Sequence, residues 1–126
     1  MKRYIRCAFM FTYEDHIYAW ENGLRGKDLP RLSEILADYP IGTYIQLTTK
    51  TYSGYFYGGT VEILDNGCLV TTTYKNKAEP QKQLSFDETA DELRRLYLFA
   101  QGRRGTSFKI EIKYSDEYGY PDVFYV

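Results

Sequence analysis

The sequence predicts an α+β domain: a single antiparallel sheet of about five to six strands carrying two helices on one face. Three observations lead there. Apolar residues recur with a period of two in several short runs. Two stretches between those runs combine helix-start signals with apolar residues spaced three and four apart. The resulting order, strand, helix, three strands, helix, two strands, reads as a layered sheet whose second face is left to solvent or to a partner. The chain has 126 residues, and that length predicts one domain spanning 1–126, because two would each fall below the size at which a core supports itself.

Taken in order, Tyr4 to Phe11 alternates, with Ile5, Cys7, Phe9 and Phe11 on one side, and predicts a strand. The stretch from Thr12 to Lys27 is ambiguous: Ile17, Trp20 and Leu24 have helical spacing, while Asn22-Gly23 invites a turn. From Asp28 a helix is predicted, with Asp28 as its cap, Pro30 in its first turn, and Leu29, Leu32, Ile35, Leu36 and Tyr39 as its apolar face; Pro40 and Gly42 end it. Thr43 to Thr51 and Thr60 to Asp65 predict strands with Ile45, Leu47, Val61 and Ile63 inward. Asn66-Gly67 predicts a two-residue hairpin turn at positive φ, and Cys68 to Tyr74 the returning strand. Lys75 to Gln83 reads as a polar loop. Ser85 with Glu88 three residues on forms a capping box, and Phe86, Ala90, Leu93, Tyr97 and Ala100 trace one face of a helix reaching about Gln101. Ser107 to Tyr114 alternates cleanly, and a turn around Tyr118 to Pro121 leads to a last strand, Asp122 to Val126. Shifting the chain by 63 residues lays Gly42-Thr43 on Gly105-Thr106, Lys50 on Lys113, Tyr55 on Tyr118 and Tyr57 on Tyr120, which suggests a helix-hairpin quasi-repeat over 28–63 and 86–126.

Composition narrows the function. With 44% hydrophobic and 26% charged residues the chain lies in the ordinary globular range. Its 16 Lys and Arg against 17 Asp and Glu leave a net charge of −1, which gives no global pull toward phosphate backbones or anionic membranes. No apolar run is long enough to span a bilayer, and Arg6 interrupts the only signal-like stretch, so a cytoplasmic location is expected. Cys7 and Cys68, with no C-x-x-C partner, are expected as reduced buried thiols.

Motifs that carry chemistry are sparse. His16 is the one histidine, and a lone histidine in an ambiguous segment makes a poor acid/base candidate. Gly23, Gly26, Lys27 and Asp28 lack the spacing and the hydroxyl of a phosphate loop, and their expected role is a turn. The acidic pairs Asp87-Glu88, Asp91-Glu92 and Asp116-Glu117 read as solvated charge, and Arg103, Arg104, Lys109 and Lys113 as a mixed-charge face broken by Glu111. No cofactor and no metal site are expected.

The aromatic content is the unusual feature, with 14 Tyr, 7 Phe and one Trp making 17% of the chain. Tyr39, Tyr97 and Tyr114 fit core positions. Two clusters instead interleave aromatics with glycine: Tyr52, Tyr55, Phe56 and Tyr57 among Ser53, Gly54, Gly58 and Gly59, and Tyr118 and Tyr120 around Gly119. Tyr with Ser and Gly is the mixture that binding surfaces favour, because Tyr offers a large contact at small rotamer cost and a hydroxyl that stays wet. Those six aromatics are the expected partner-binding residues.

Two resemblances add to this. The segment from Ile112 to Phe124, with Tyr118-Gly-Tyr-Pro121 at its centre, resembles the closing hairpin of an uncharacterised bacterial domain family, and the preceding Ser-capped helix fits the same pattern. In size and style the chain resembles small proteins of phages and mobile elements of Gram-positive bacteria, among them immunity proteins and anti-CRISPR inhibitors. The expectation is therefore a non-enzymatic protein-binding module that blocks a partner protein's surface. The alternative is a single-stranded nucleic-acid binder that stacks bases on strand aromatics, for example around Arg3, Tyr4, Arg6 and Phe9. A third reading, a small enzyme using Tyr, Arg or Glu, would require a cleft that gathers them. A homodimer through an edge strand is a further expectation, and no membrane partner is expected.

Overall fold

The structure, a computed structural model, describes residues 31–50, 56–101, 107–116 and 119–125. Helix α1 is Leu32–Asp38. Strands β1 (Tyr44–Lys50), β2 (Gly58–Ile63), β3 (Cys68–Tyr74), β4 (Lys77–Ala78) and β5 (Lys82–Leu84) follow, then helix α2 (Phe86–Gln101) and strands β6 (Ser107–Lys113) and β7 (Asp122–Tyr125). All pairings are antiparallel, in the order β4-β3-β2-β1-β6-β7, with β5 beside β4 along the outer edge of β3. The fold is α+β, an open antiparallel sheet with two helices packed on each other and on one face.

Alternation decides that face. Ile45 stands between Val61 and Ile112, Leu47 between Gly59 and Ile110, and Val70 opposite Val61, so their side chains form rows running across the sheet. Leu32, Ile35 and Leu36 of α1 and Ala90, Leu93 and Leu96 of α2 close over these rows, and all are buried. Each buried aliphatic of this kind stabilises the fold by about 1.5–3 kcal/mol relative to exposure. Under the shift of 63 residues, Leu47 faces its own equivalent, Ile110, and the flanking strands β2 and β7 lie symmetrically outside β1 and β6. The other face carries Gln46, Thr48, Thr60, Glu62, Thr71, Thr73, Lys109 and Glu111, the polar half of each alternation.

Several local expectations are corrected. Helix α1 starts at Leu32, capped at Arg31, whose extended backbone lets the Glu34 carboxylate accept the Arg31 N–H at 3.2 Å. Asp28, Leu29 and Pro30 lie outside the described residues, as do the predicted strand 4–11 and the ambiguous 12–27. Neither Asn66 nor Gly67 has positive φ. The β2–β3 connection closes instead through the Leu64 N–H donating to the Gly67 carbonyl at 2.8 Å, and Gly67 is required because a Cβ there would collide with the Leu84 carbonyl of β5. The left-handed pair is Lys75 (φ 51°) and Asn76 (φ 68°), which turn β3 back into β4. The predicted polar loop 75–83 thus contains two short strands. Their polarity is that of an edge: brief, lysine-bearing and interrupted by Pro80, the means by which exposed sheet edges avoid further pairing.

Ser85 and Glu88 form the predicted capping box: the Ser85 N–H donates to Glu88 Oε1 at 3.1 Å and the Glu88 N–H donates to Ser85 Oγ at 3.1 Å. Helix α2 begins near the β3 start and leads back to β6, crossing the sheet from the β5 edge to the strand beside β1.

Candidate functional site

Of the six aromatics expected at a binding surface, Phe56, Tyr57 and Tyr120 are described; Tyr52, Tyr55 and Tyr118 lie outside the described residues. Tyr57 is a correction. It is 2% exposed and belongs to the core cluster, because the Thr49 hydroxyl donates to its carbonyl at 2.7 Å and accepts its N–H at 3.1 Å, continuing the β1–β2 ladder with a side chain and facing the ring inward. Phe56 points the other way and is 38% exposed. Asn76 holds its backbone from both sides, accepting the Phe56 N–H on Oδ1 at 2.7 Å and donating its own N–H to the Phe56 carbonyl at 3.0 Å. The Phe56 ring lies over Gly58, where a Cβ would fall 2.5 Å from its Cζ.

Tyr120 is 100% exposed, on the turn between β6 and β7, beside Gly119 at φ 120°. Register separates it from Phe56. Phe56 precedes the β2 end that pairs with Thr48 and Thr73, whereas Tyr120 follows the β6 end that pairs with Tyr44. Phe56 and Tyr120, the described exposed members of the two Gly-flanked clusters, therefore stand at opposite ends of the sheet.

What gathers around Tyr120 is a set that sequence reasoning did not single out. Ile41 (62% exposed), Tyr44 (41%) and Val123 (42%) occupy the same end, at the start of β1 and the start of β7. Ile41 is held outward by a tight turn: the Thr43 N–H donates to the Pro40 carbonyl at 3.0 Å, the Gly42 N–H to the Ile63 carbonyl at 2.7 Å, and the Ser115 hydroxyl to the Ile41 carbonyl at 2.7 Å. Gly42, at φ 89°, adopts the left-handed backbone that this turn needs. Beneath lie Tyr39 and Tyr114, edge-to-face with ring centroids 5.7 Å apart. Burial pushes both phenols above the ordinary tyrosine range, with the nearby Asp122 carboxylate adding to the effect.

A second cluster lies where α2 meets β3. Glu92 Oε1 accepts the Tyr74 hydroxyl at 3.0 Å and the Thr72 hydroxyl at 3.4 Å, and Arg95 approaches Glu92 at 4.0 Å while lying over the Tyr74 ring at 5.3 Å. Glu79, whose Oε2 lies at the same 3.4 Å from the Thr72 hydroxyl and shares its single proton with Glu92, pairs with Lys82 at 3.0 Å, and the Lys82 hydrogen bond holds its carboxyl below the usual range. These groups satisfy one another and fasten the helix to the sheet. Glu92 is thus a tertiary anchor, in contrast to its reading as solvated charge beside Asp91. Lys109 pairs with Glu111 at 3.0 Å, which neutralises the strand face that Lys113 shares. Arg103 and Arg104 lie outside the described residues, as do His16, Cys7 and the stretch from Gly23 to Asp28. Cys68 is a free thiol, fully buried, and burial raises its pKa.

Among the described residues, no group of three His, Cys, Asp or Glu could hold a metal ion, and no described helix is long and apolar enough to cross a membrane. No family model, no curated protein and no solved structure matches the chain.

Proposed function

We propose that the protein is a non-enzymatic binding module that covers a surface of another protein, acting as a small inhibitor or immunity-type protein does. The supporting observation is the exposed apolar group at one end of the sheet, with Tyr120 projecting from the β6–β7 turn and Ile41 held outward beside it. An aromatic free of intramolecular packing contributes nothing to folding, while at an interface a buried tyrosine is among the commonest sources of affinity. Phe56, at the opposite end, lies against its own sheet and is a secondary candidate.

The test is a photo-reactive phenylalanine analogue in place of Tyr120, expressed in the native host, with the same analogue at Lys77 as the control position. The expected result is a discrete adduct with one protein from position 120 alone. Tyr120→Ala should weaken that complex by about 2 kcal/mol, roughly thirtyfold, without changing the melting temperature. No discrete adduct from position 120, or the same adducts from both positions, would overturn the reading.

A further inference from the structure

Within a net charge of −1, the charges of the described residues are unevenly placed. Five carboxylates flank the apolar end: Asp38 closes α1, Glu62 and Asp65 end β2 and begin its turn, Asp116 lies in the β6–β7 turn, and Asp122 opens β7. Among the described residues at that end, Lys113, opposite Tyr44, is the cation that faces them. Asp38, Asp65, Asp116 and Asp122 are exposed, and none forms an ion pair with a described cation. The C-terminus of α1 points the same way, and its carbonyls add partial negative charge. At the far end the β3–β4 turn carries Lys75 and Lys77.

An apolar knob ringed by carboxylates is complementary to a surface of the opposite kind. We propose that the partner engaged through Ile41 and Tyr120 is a protein that presents a basic rim around an apolar pocket. This inference rests on the binding-module reading above and adds the partner's chemistry. Phosphate-bearing partners are disfavoured at this end, since nucleic acid and anionic lipid would meet like charge. The carboxylates would govern encounter and its salt dependence, and the apolar side chains would govern residence.

The experiment titrates the ¹⁵N-labelled full chain with a synthetic peptide of alternating lysine and leucine, then with one of alternating glutamate and leucine. The lysine peptide should move the amides of Ile41, Asp116, Gly119, Tyr120 and Val123 and bind several times more weakly as salt rises from about 50 to about 300 mM. Asp38→Asn combined with Asp116→Asn should weaken it about tenfold, about 1.4 kcal/mol, while Lys75→Gln with Lys77→Gln should not. The glutamate peptide should leave these amides in place. If both peptides bind this end equally, or the Asp38/Asp116 double variant binds as the wild type does, the basic-partner inference fails and the apolar docking reading stands. If the lysine peptide moves other amides and not these, the inference fails outright. Thermal melts of every variant confirm that the comparisons are made between folded proteins.

Discussion

Replacing Tyr57 by alanine separates a core role from a contact role. A buried aromatic removes about 150–250 Å² from water, which at about 25 cal/mol per Å² gives an upper bound of about 4–6 kcal/mol. Residual burial in the unfolded chain lowers that figure, and truncations of core aromatics cost about 3–5 kcal/mol. Tyr57 is 2% exposed, sits in the main core cluster and has its backbone held by Thr49, so the site has little room to collapse. A loss of about 3–4 kcal/mol follows for Tyr57→Ala, against a total of about 5–15 kcal/mol for a domain of ordinary stability. The melting temperature should fall by roughly 10 °C or more. Urea denaturation followed by circular dichroism reads the same loss as a lower midpoint at unchanged slope. Tyr57→Phe keeps the ring and should cost about 1 kcal/mol. A Tyr57→Ala variant that melts within about 3 °C of the wild type would refute the assignment of Tyr57 to the core.

Three further outcomes follow from the geometry. Asn76→Ala loses the carboxamide that accepts the Phe56 N–H and leaves a side-chain-bearing residue at φ 68°, so it should cost about 1–2 kcal/mol, and Asn76→Gly, which relieves the backbone alone, should fall between it and the wild type in urea melts. Gly58→Ala puts a Cβ 2.5 Å from the Phe56 ring and 2.6 Å from the Leu47 carbonyl, so it should destabilise by roughly 2 kcal/mol, and Phe56→Ala in the same chain should recover part of the loss, because the carbonyl clash remains. Burial raises the phenol pKa of Tyr39, Tyr74 and Tyr114, so the folded state keeps protons that the unfolded state releases; stability is full below about pH 10, the ordinary phenol value, and is lost as pH rises beyond it. Absorbance at the tyrosinate band should therefore show these three phenols ionising together with alkaline unfolding, and ionisation of all three well before the loss of circular dichroism would refute their burial.

How far the sequence was legible depended on whether the signal was local. Strand β3 and helix α2 run over the residues expected of them, because apolar alternation from Cys68 and the Ser85–Glu88 capping box are local patterns with one structural solution. Asn66-Gly67 misled because the glycine answers to another strand: its missing Cβ makes room for the Leu84 carbonyl, a contact invisible in the dipeptide. Lys75-Asn76 carries the left-handed turn with no glycine to advertise it, and its conformation is supported by the Asn76 hydrogen bonds to Phe56, twenty residues away in the chain. The Tyr57 side chain was ambiguous for the same reason. Period two places Phe56 and Tyr57 on opposite faces, but which face is the core was set by pairing with Thr49. Tyr120 alone of the described aromatic candidates is fully exposed, and Ile41 and Val123 went unnoticed because single apolar residues beside turns carry no pattern.

The distribution of local rule-breaking supports placing function at the end that bears Tyr120. Among the described residues at the opposite end, polar groups are met by neighbours: Asn76 clasps Phe56, Thr49 clasps Tyr57, and Glu92 collects Tyr74 and Thr72. At the Tyr120 end the preferences run against stability. Asp38 occupies the last turn of α1, which holds no basic residue, although a helix C-terminus favours cations by about 0.3–1 kcal/mol. Asp116 and Asp122 add like charge nearby, and Ile41 is turned to solvent by three hydrogen bonds when a polar residue would suit that position better. A sequence shaped by folding alone would place lysine at such a terminus and a polar side chain on such a turn. Lys75 and Asn76, at the opposite end, break a local preference too with their left-handed backbone, but there the Asn76 hydrogen bonds to Phe56 compensate it. The outward Ile41 and the carboxylate at the α1 terminus gain no such return from the described residues and make sense on the proposed reading, as contacts with a partner.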